Sequence, residues 1–426
     1  MTHELRRVVI AGGSIAAVTA AETLRLRGFD GDITILSDEA RPPYTRVPLS
    51  KGILAGLETT KSTALPALGD DVTIRLNAPV AQLLVDERRV VLADAELVPY
   101  DGLIIATGAR ARRLGAPTQR GEHVIRTIAD ATNLADRIAA AGSVLVVGAG
   151  FLGMEIASTC ATRGLHVTVV DRDPPLRRLL GDWLARRVVA AAEERGVKFV
   201  LAPNGVRLLG DPDITGVDCG NHVLCADVVV TAAGDVPNTE WLTDSGLALA
   251  GGVVVDERCL AAPNIAAAGD VSAVRQPTGS FQRCPHWSNA VHQGQTAATS
   301  LLGAQSDPPR RHDPYFWTEQ FGLNIKYSGQ IPSDCAPTVL AGEPPHRSGL
   351  FQWHDNDQPV AAASVNHPIP IVKLKKLART RPWPTQHWPP TTAATRRHRP
   401  AVTLSDMTKT RARLGRASRK LETPHH

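Results

Sequence analysis

The chain has 426 residues, 43% of them apolar and 21% charged, the composition of a soluble globular protein with enough chain for about three domains. Its formal net charge of +5 invites a nucleic-acid reading that the distribution opposes: residues 378–426 hold 11 Lys and Arg against Asp406 and Glu422, leaving 36 against 40 acids in the body. The six cysteines show no CxxC and no paired spacing, which excludes a zinc-type cluster and a disulfide scaffold and points to a reducing cytoplasm with no structural metal.

In chain order, HELRRVVIAGGSIAAVTAAETL (3–24) superficially resembles a secretory signal. Its apolar run breaks at two glycines and passes into an amphipathic segment with Glu22 and Arg25, so it reads as buried strand, turn and helix. RPPYTRVPLSKGILAG (41–56) follows with neither helical nor strand periodicity, and reads as a loop. YDGLIIATGAR (100–110) is a strand ending in a small-residue turn. GSVLVVGAGFLGMEIASTCATRGLHVTVVDRD (142–173) then repeats the opening design, and ADVVVTAAGDVPNT (226–239) repeats its distant strand. NIAAAGDVSAV (264–274) is a buried strand running into Gly269 and Asp270. HWSNAVHQGQTAATSLLG (286–303) reads as a helix whose Ala and Gly residues permit close packing. From 313 to 366 short alternating strands open a third region. Beyond Leu377 the chain is rich in Pro, Thr and Arg and too poor in aliphatic residues to offset its ordering entropy. No segment has the length and apolarity of a membrane span.

The two repeated units are βαβ dinucleotide fingerprints. In the second, Gly148 permits the tight turn, Gly150 lets the backbone approach a pyrophosphate, and Gly153 allows helix to pack on strand. Asp171 ends the next strand, where a carboxylate accepts from a ribose 2′-OH and repels a 2′-phosphate; the neighbouring Arg172 works against that preference. The first unit keeps Gly12 and Gly13 but has Ser14 and Ala17 at the second and third positions. Ser37 stands where Asp171 does, so Asp38 or Glu39 is left to reach the ribose. The fold class expected is α/β: two Rossmann-like dinucleotide-binding domains plus a small α+β C-terminal domain.

IIATGAR (104–110), AAAGD (266–270), PYTRVPLSK (43–51) and the doubled fingerprint resemble the two-dinucleotide-domain flavoprotein reductases, within them the NADH:ferredoxin reductases of bacterial oxygenase systems. The resemblance runs from about residue 6 to about residue 375. It implies FAD on a discontinuous domain (1–112 and 240–310), NADH on 113–239, a C-terminal reductase domain at 311–377 and a basic tail at 378–426. It implies that Lys51 sits near the flavin and pairs with Glu155, and that Arg46 lines the ring. Asp270 would bond the ribityl chain or phosphate, with Gly269 before it, and Trp287 and Trp317 would border the flavin. Val80, Ala106, Thr107, Gly108, Arg126 and Gly234 complete the implied cofactor-binding set. His286 is a weak candidate, and Tyr44 reads as packing.

Disulfide reductases of this fold carry a redox Cys pair in or just after the 41–56 loop, and related peroxidases a single Cys. Here no cysteine precedes Cys160. Electrons are therefore expected to leave the flavin directly for an external acceptor, which the resemblance implies is an iron–sulfur ferredoxin of the two-iron type. The implied protein is cytoplasmic, without a membrane or nucleic-acid partner, and a monomer or weak homodimer. Alternatives are an NADH oxidase or quinone reductase without protein acceptor, or an FAD protein of the apoptosis-inducing-factor kind with an interaction role. For the tail three readings stay open: an unfolded extension, a docking arm for an acidic partner, and a nucleic-acid-binding arm.

Overall fold

The first glycine-rich unit folds as strand Arg7–Ala11, helix α1 (Ile15–Leu26) and strand Asp32–Leu36. The structure, a computed structural model, describes residues 5–276, 279–303, 315–342 and 347–378. The Arg7–Ala11 strand is buried along all but its first residue, because it lies mid-sheet with a hydrophobic core on each face. Its six-stranded sheet runs Leu260–Ala262, Ile265–Ala267, Gly102–Ile105, Arg7–Ala11, Asp32–Leu36, Val72–Arg75. Only the first of these pairings is antiparallel.

The second sheet is wholly parallel, in the order Lys198–Leu201, His166–Asp171, Ser143–Val147, Val228–Thr231, Glu122–His123. Helices α2 (Ile128–Ala139), α3 (Phe151–Thr162) and α4 (Arg177–Glu193, kinked at Gly181) belong to this half. The halves repeat at the level of single hydrogen bonds. Gly12 N donates to Leu36 O and Gly148 N to Val170 O, both at 2.8 Å, while Ala106 N donates to Ala11 O and Ala232 N to Val147 O, both at 2.7 Å. Ser37 and Asp171 are thus structural equivalents. Each central strand ends where the strand order reverses, the place at which doubly wound sheets hold their ligands.

Helix α5 (Trp287–Leu301) lies on α1 at close range: a Cβ on Gly294 would stand 2.6 Å from the Ala16 carbonyl oxygen. The two sheets are joined by an antiparallel pair, Ala109–Ala111 with Asp235–Pro237. A third, antiparallel sheet follows in the order Tyr315–Gln320, Leu323–Gly329, Gln358–Val365, Gly349–Asp355, Thr338–Ala341, backed by α6 (Ile371–Leu377). Along its first strand the faces alternate. Tyr315 and Trp317 pack with Leu374 of α6, while Phe316 joins a core shared with Met154 and Ile156 of α3.

The 41–56 segment departs from the sequence reading. Leu49–Ile53 forms a π-helical turn, with Ile53 N donating to Pro48 O at 3.1 Å. Leu49, Ile53 and Leu54 are buried in the same core as α3 and the third sheet. Three apolar residues in so short a turn leave no helical period to read. Among the described residues no helix is long and apolar enough to cross a membrane, and no group of three or more His, Cys, Asp and Glu could hold a metal ion. The tail from residue 379 lies outside the described residues.

Candidate cofactor site

A cavity of about 340 Å³ opens at the C-terminal edge of the first sheet. Of the residues singled out above, Ser14, Arg46, Lys51, Ala106, Gly108, Arg126, Glu155, Gly269, Asp270, Trp287, Trp317 and His286 line it. At one end Ser14 is the N-cap of α1 and makes no side-chain cap bond, so the helix's first amides are open to an anion. Gly12 sits at φ +120°, and a Cβ there would overlap the Ala106 carbonyl, so the turn is bare backbone. Arg126 pairs with Asp270 at 2.7 Å, and its Nε is buried without a hydrogen-bond partner. Amide donors, bare turn and unpaired guanidinium nitrogen fit a pyrophosphate. At the other end the walls are Leu49, Ile125, Trp287 and Trp317, the two indoles 6.0 Å apart at 76°. Such walls fit a flat ring system. Asp270 does not cap a helix; the N-cap of α5 is His286.

Lys51 and Glu155 meet in the wall of the same cavity. Lys51 Nζ lies 2.7 Å from Glu155 Oε2, which also accepts from Ser50 Oγ at 2.7 Å. Glu155 Oε1 accepts from Thr318 Oγ1 at 2.8 Å. Ser50 and Thr318 were not singled out in the sequence, because a lone hydroxyl carries no local signal. Tyr44 was read there as packing only. It is buried, but its hydroxyl donates to Glu39 at 2.6 Å and accepts from Arg46 at 2.7 Å and from Ile128 N at 3.3 Å. Burial pushes this phenol up to about 12. Arg46 also reaches Glu39 at 2.6 Å and the Arg126 carbonyl at 2.8 Å, which pins the 41–56 loop to the start of α2. Glu39 is thereby committed to the loop, and Asp38 is the exposed carboxylate beyond the Asp32–Leu36 strand.

The remaining candidates lie elsewhere. Gly13 abuts Ser37, and Ala17 is buried in α1. Thr107 Oγ1 donates to Asn238 O and Asn238 Nδ2 to Thr107 O, both at 2.9 Å, cross-linking the two halves. Val80 packs on the core under the small antiparallel sheet of residues 80–99, outside the residues that line this cavity. Gly148, Gly150 and Gly153 form the turn of the second sheet, with Gly150 as N-cap of α3, and Gly234 turns at φ +93° beyond Thr231. Asp171 holds that turn, since Oδ2 accepts from Ala149 N at 2.5 Å and Oδ1 from Arg172 N at 2.6 Å and Asp173 N at 3.2 Å. Arg172 is exposed.

His286 Nδ1 accepts from Ser288 N at 3.2 Å, and its ring packs 4.3 Å from Phe316 and 5.3 Å from Trp317. Burial lowers its pKa from 6.5 to about 4, against the pull of Asp270. The unfolded chain takes up this proton well before the folded one does, so stability falls as pH drops from 6.5 towards about 4 and is unaffected above 6.5. Between about pH 7 and about pH 5 the group is expected to remove on the order of 2 kcal/mol. His286→Asn keeps an N-cap acceptor, and in urea melts it should lose that much less than the wild type; equal losses would show that His286 titrates normally.

Residues 6–294 match the family model described as pyridine nucleotide-disulphide oxidoreductase. The chain belongs to that family. Residues 315–388 match a second model, reductase C-terminal. The chain is 32% identical over 386 residues to the 3-phenylpropionate/cinnamic acid dioxygenase ferredoxin–NAD(+) reductase component of Photorhabdus laumondii, across 87% of this chain and 95% of that one. It is 38% identical over 335 residues to rhodocoxin reductase of Rhodococcus erythropolis, across 76% of this chain and 78% of that one. Among solved structures it is similar to the covalent putidaredoxin reductase–putidaredoxin complex, with TM-score 0.77, 26% identity and coverage of 87% and 91%. Like other members of the pyridine nucleotide-disulphide oxidoreductase family, it is an oxidoreductase that uses FAD and NAD(H). The C-terminal match runs to residue 388, beyond residue 375 where the resemblance was expected to end, and it takes in α6. Unlike the disulphide-reducing members, this chain has no cysteine among the residues that line the cavity. Cys160 and Cys284 have thiols pushed up to about 12 by burial.

Proposed function

We propose that this flavoprotein carries electrons from NADH through FAD to a two-iron ferredoxin that feeds an oxygenase, either a haem-thiolate monooxygenase or a ring-hydroxylating dioxygenase. The observation that carries the reading is the Lys51–Glu155 pair in an aromatic-walled cavity that no thiol lines. The names of the similar reductases supply the acceptor class. In this reading residues 1–112 and 240–310 hold FAD, 113–239 hold NADH, and the working unit is a monomer or weak homodimer.

When bound, FAD supplies two-electron uptake from a nicotinamide and one-electron release, which no side chain here can perform. The chain's own residues do the rest. The α1 amides and Arg126 hold the phosphates. Tyr44, Arg46 and Glu39 keep the 41–56 loop closed over the cavity, excluding water. Lys51 supplies fixed positive charge where negative charge accumulates on reduction. Asp171 accepts from the ribose hydroxyl of NADH and repels the extra phosphate of NADPH.

Purified holoenzyme is expected to bleach under anaerobic NADH, to respond poorly to NADPH, and to reduce a two-iron ferredoxin faster than quinone or oxygen. Asp171→Ala should erase the NADH preference. Quinone or oxygen reduced as fast as ferredoxin would overturn the acceptor assignment in favour of an oxidase.

A further inference from the structure

Glu155 is held from two sides. Lys51 and Ser50 reach Oε2 from the covering loop, whereas Oε1 is reached from the third sheet by Thr318, 163 positions away in the chain. Thr318 is fully buried, and Gln320 Nε2 donates to its Oγ1 at 3.0 Å. A hydroxyl has one hydrogen, so accepting from Gln320 leaves that hydrogen for Glu155. The Gln320 Oε1 is itself buried without a partner. The amide therefore presents its donor to Thr318 while its acceptor goes unsatisfied, and the opposite orientation would turn the threonine hydrogen away from Glu155.

The last torsion of a glutamate is soft, so a carboxylate held at one oxygen can swing about it. Donors from opposite walls fix its plane. Lys51 depends on that plane, because among the described residues its ammonium contacts, besides Glu155, only the Val47 carbonyl at 3.4 Å. We propose that Thr318, aimed by Gln320, is a positioning residue that fixes Glu155 and through it Lys51, so that the third sheet sets the geometry of the redox cavity. The inference rests on the flavoprotein reading above.

The test compares Thr318→Val, which keeps the shape and removes the donor, with Thr318→Ser, which keeps the donor. Two quantities are measured on holoenzyme: the midpoint potential of bound FAD, and the kcat and KM for NADH with a dye acceptor. In Thr318→Val, kcat is expected to fall about tenfold with KM unchanged, as for an interaction made only in the transition state. The two-electron potential is expected to fall by about 30 mV, the equivalent of a tenfold change in equilibrium. Thr318→Ser is expected to restore both. Gln320→Leu, which leaves Thr318 in place, is expected to move both in the same direction. A lower melting temperature with unchanged potential and kcat in both variants would reduce Thr318 to a packing residue and overturn the proposal. Ferredoxin takes part in neither measurement, so a failure of the acceptor assignment would leave these values as they are.

Discussion

Lys51→Met is expected to slow the reduction of bound FAD by NADH by about two orders of magnitude, the usual loss when a group that stabilises developing charge is removed. Lys51 lines the cavity with its side chain 21% exposed, and its Glu155 partner is 9% exposed. Removing one member of a fully buried pair costs about 3–5 kcal/mol because the other charge is stranded. Less is expected here, since water reaches Lys51 and since Ser50 and Thr318 still donate to Glu155. The two effects separate in Lys51→Met/Glu155→Gln, which removes both charges. That variant should regain most of the lost stability and none of the rate. Stopped-flow absorbance of the flavin band measures the rate and thermal melts the stability. Unchanged reduction in Lys51→Met would remove the lysine from the chemistry, and recovery of the rate in the double variant would mean that the stranded carboxylate, not the missing cation, was the obstacle.

Gly153→Ala is expected to weaken NADH binding while leaving FAD content unchanged. A methyl at 153 would overlap the Gly148 carbonyl oxygen, so α3 must move away from its strand. Overpacking of this kind typically costs about 1–3 kcal/mol. The displaced helix carries Glu155 and the amides at the mouth of the second turn, and a rise of about tenfold in the KM for NADH is expected with FAD content unchanged, since misplacement near 1 Å costs far more than the lost contact itself. The equivalent position of the first unit already holds Ala17, fully buried in α1. There the reciprocal change, Ala17→Gly, should cost only about 1 kcal/mol of helix propensity and leave both cofactors bound. An unaltered KM in Gly153→Ala would show that α3 tolerates the shift and that the third glycine serves packing alone.

These two positions show how unevenly the molecule can be read. The doubled strand–turn–helix unit is legible because every requirement is local: an unbroken apolar strand, a glycine at positive φ, small residues on the helix. Even the replacement of the third glycine by Ala17 is visible, although its tolerance depends on how closely α1 approaches its turn. The 41–56 loop was legible only as irregular, and its π-helical turn follows from burying Leu49, Ile53 and Leu54 in a core shared with two other regions. No spacing rule links Lys51 to Glu155; resemblance to a family paired them.

By itself the sequence determined the two nucleotide-binding halves, the strand-rich third region and the absence of a thiol near the covering loop, because these follow from residue type and from periods of a few residues. Only the tertiary structure decided that Thr318 and Ser50 clamp Glu155 from opposite walls, that Tyr44 ties the loop through Glu39 and Arg46, and that His286 is buried enough to stay neutral. A turn is encoded in the residues that form it. A hydrogen bond between side chains 105 or 163 positions apart exists only once the covering loop, α3 and the third sheet have been packed around one core.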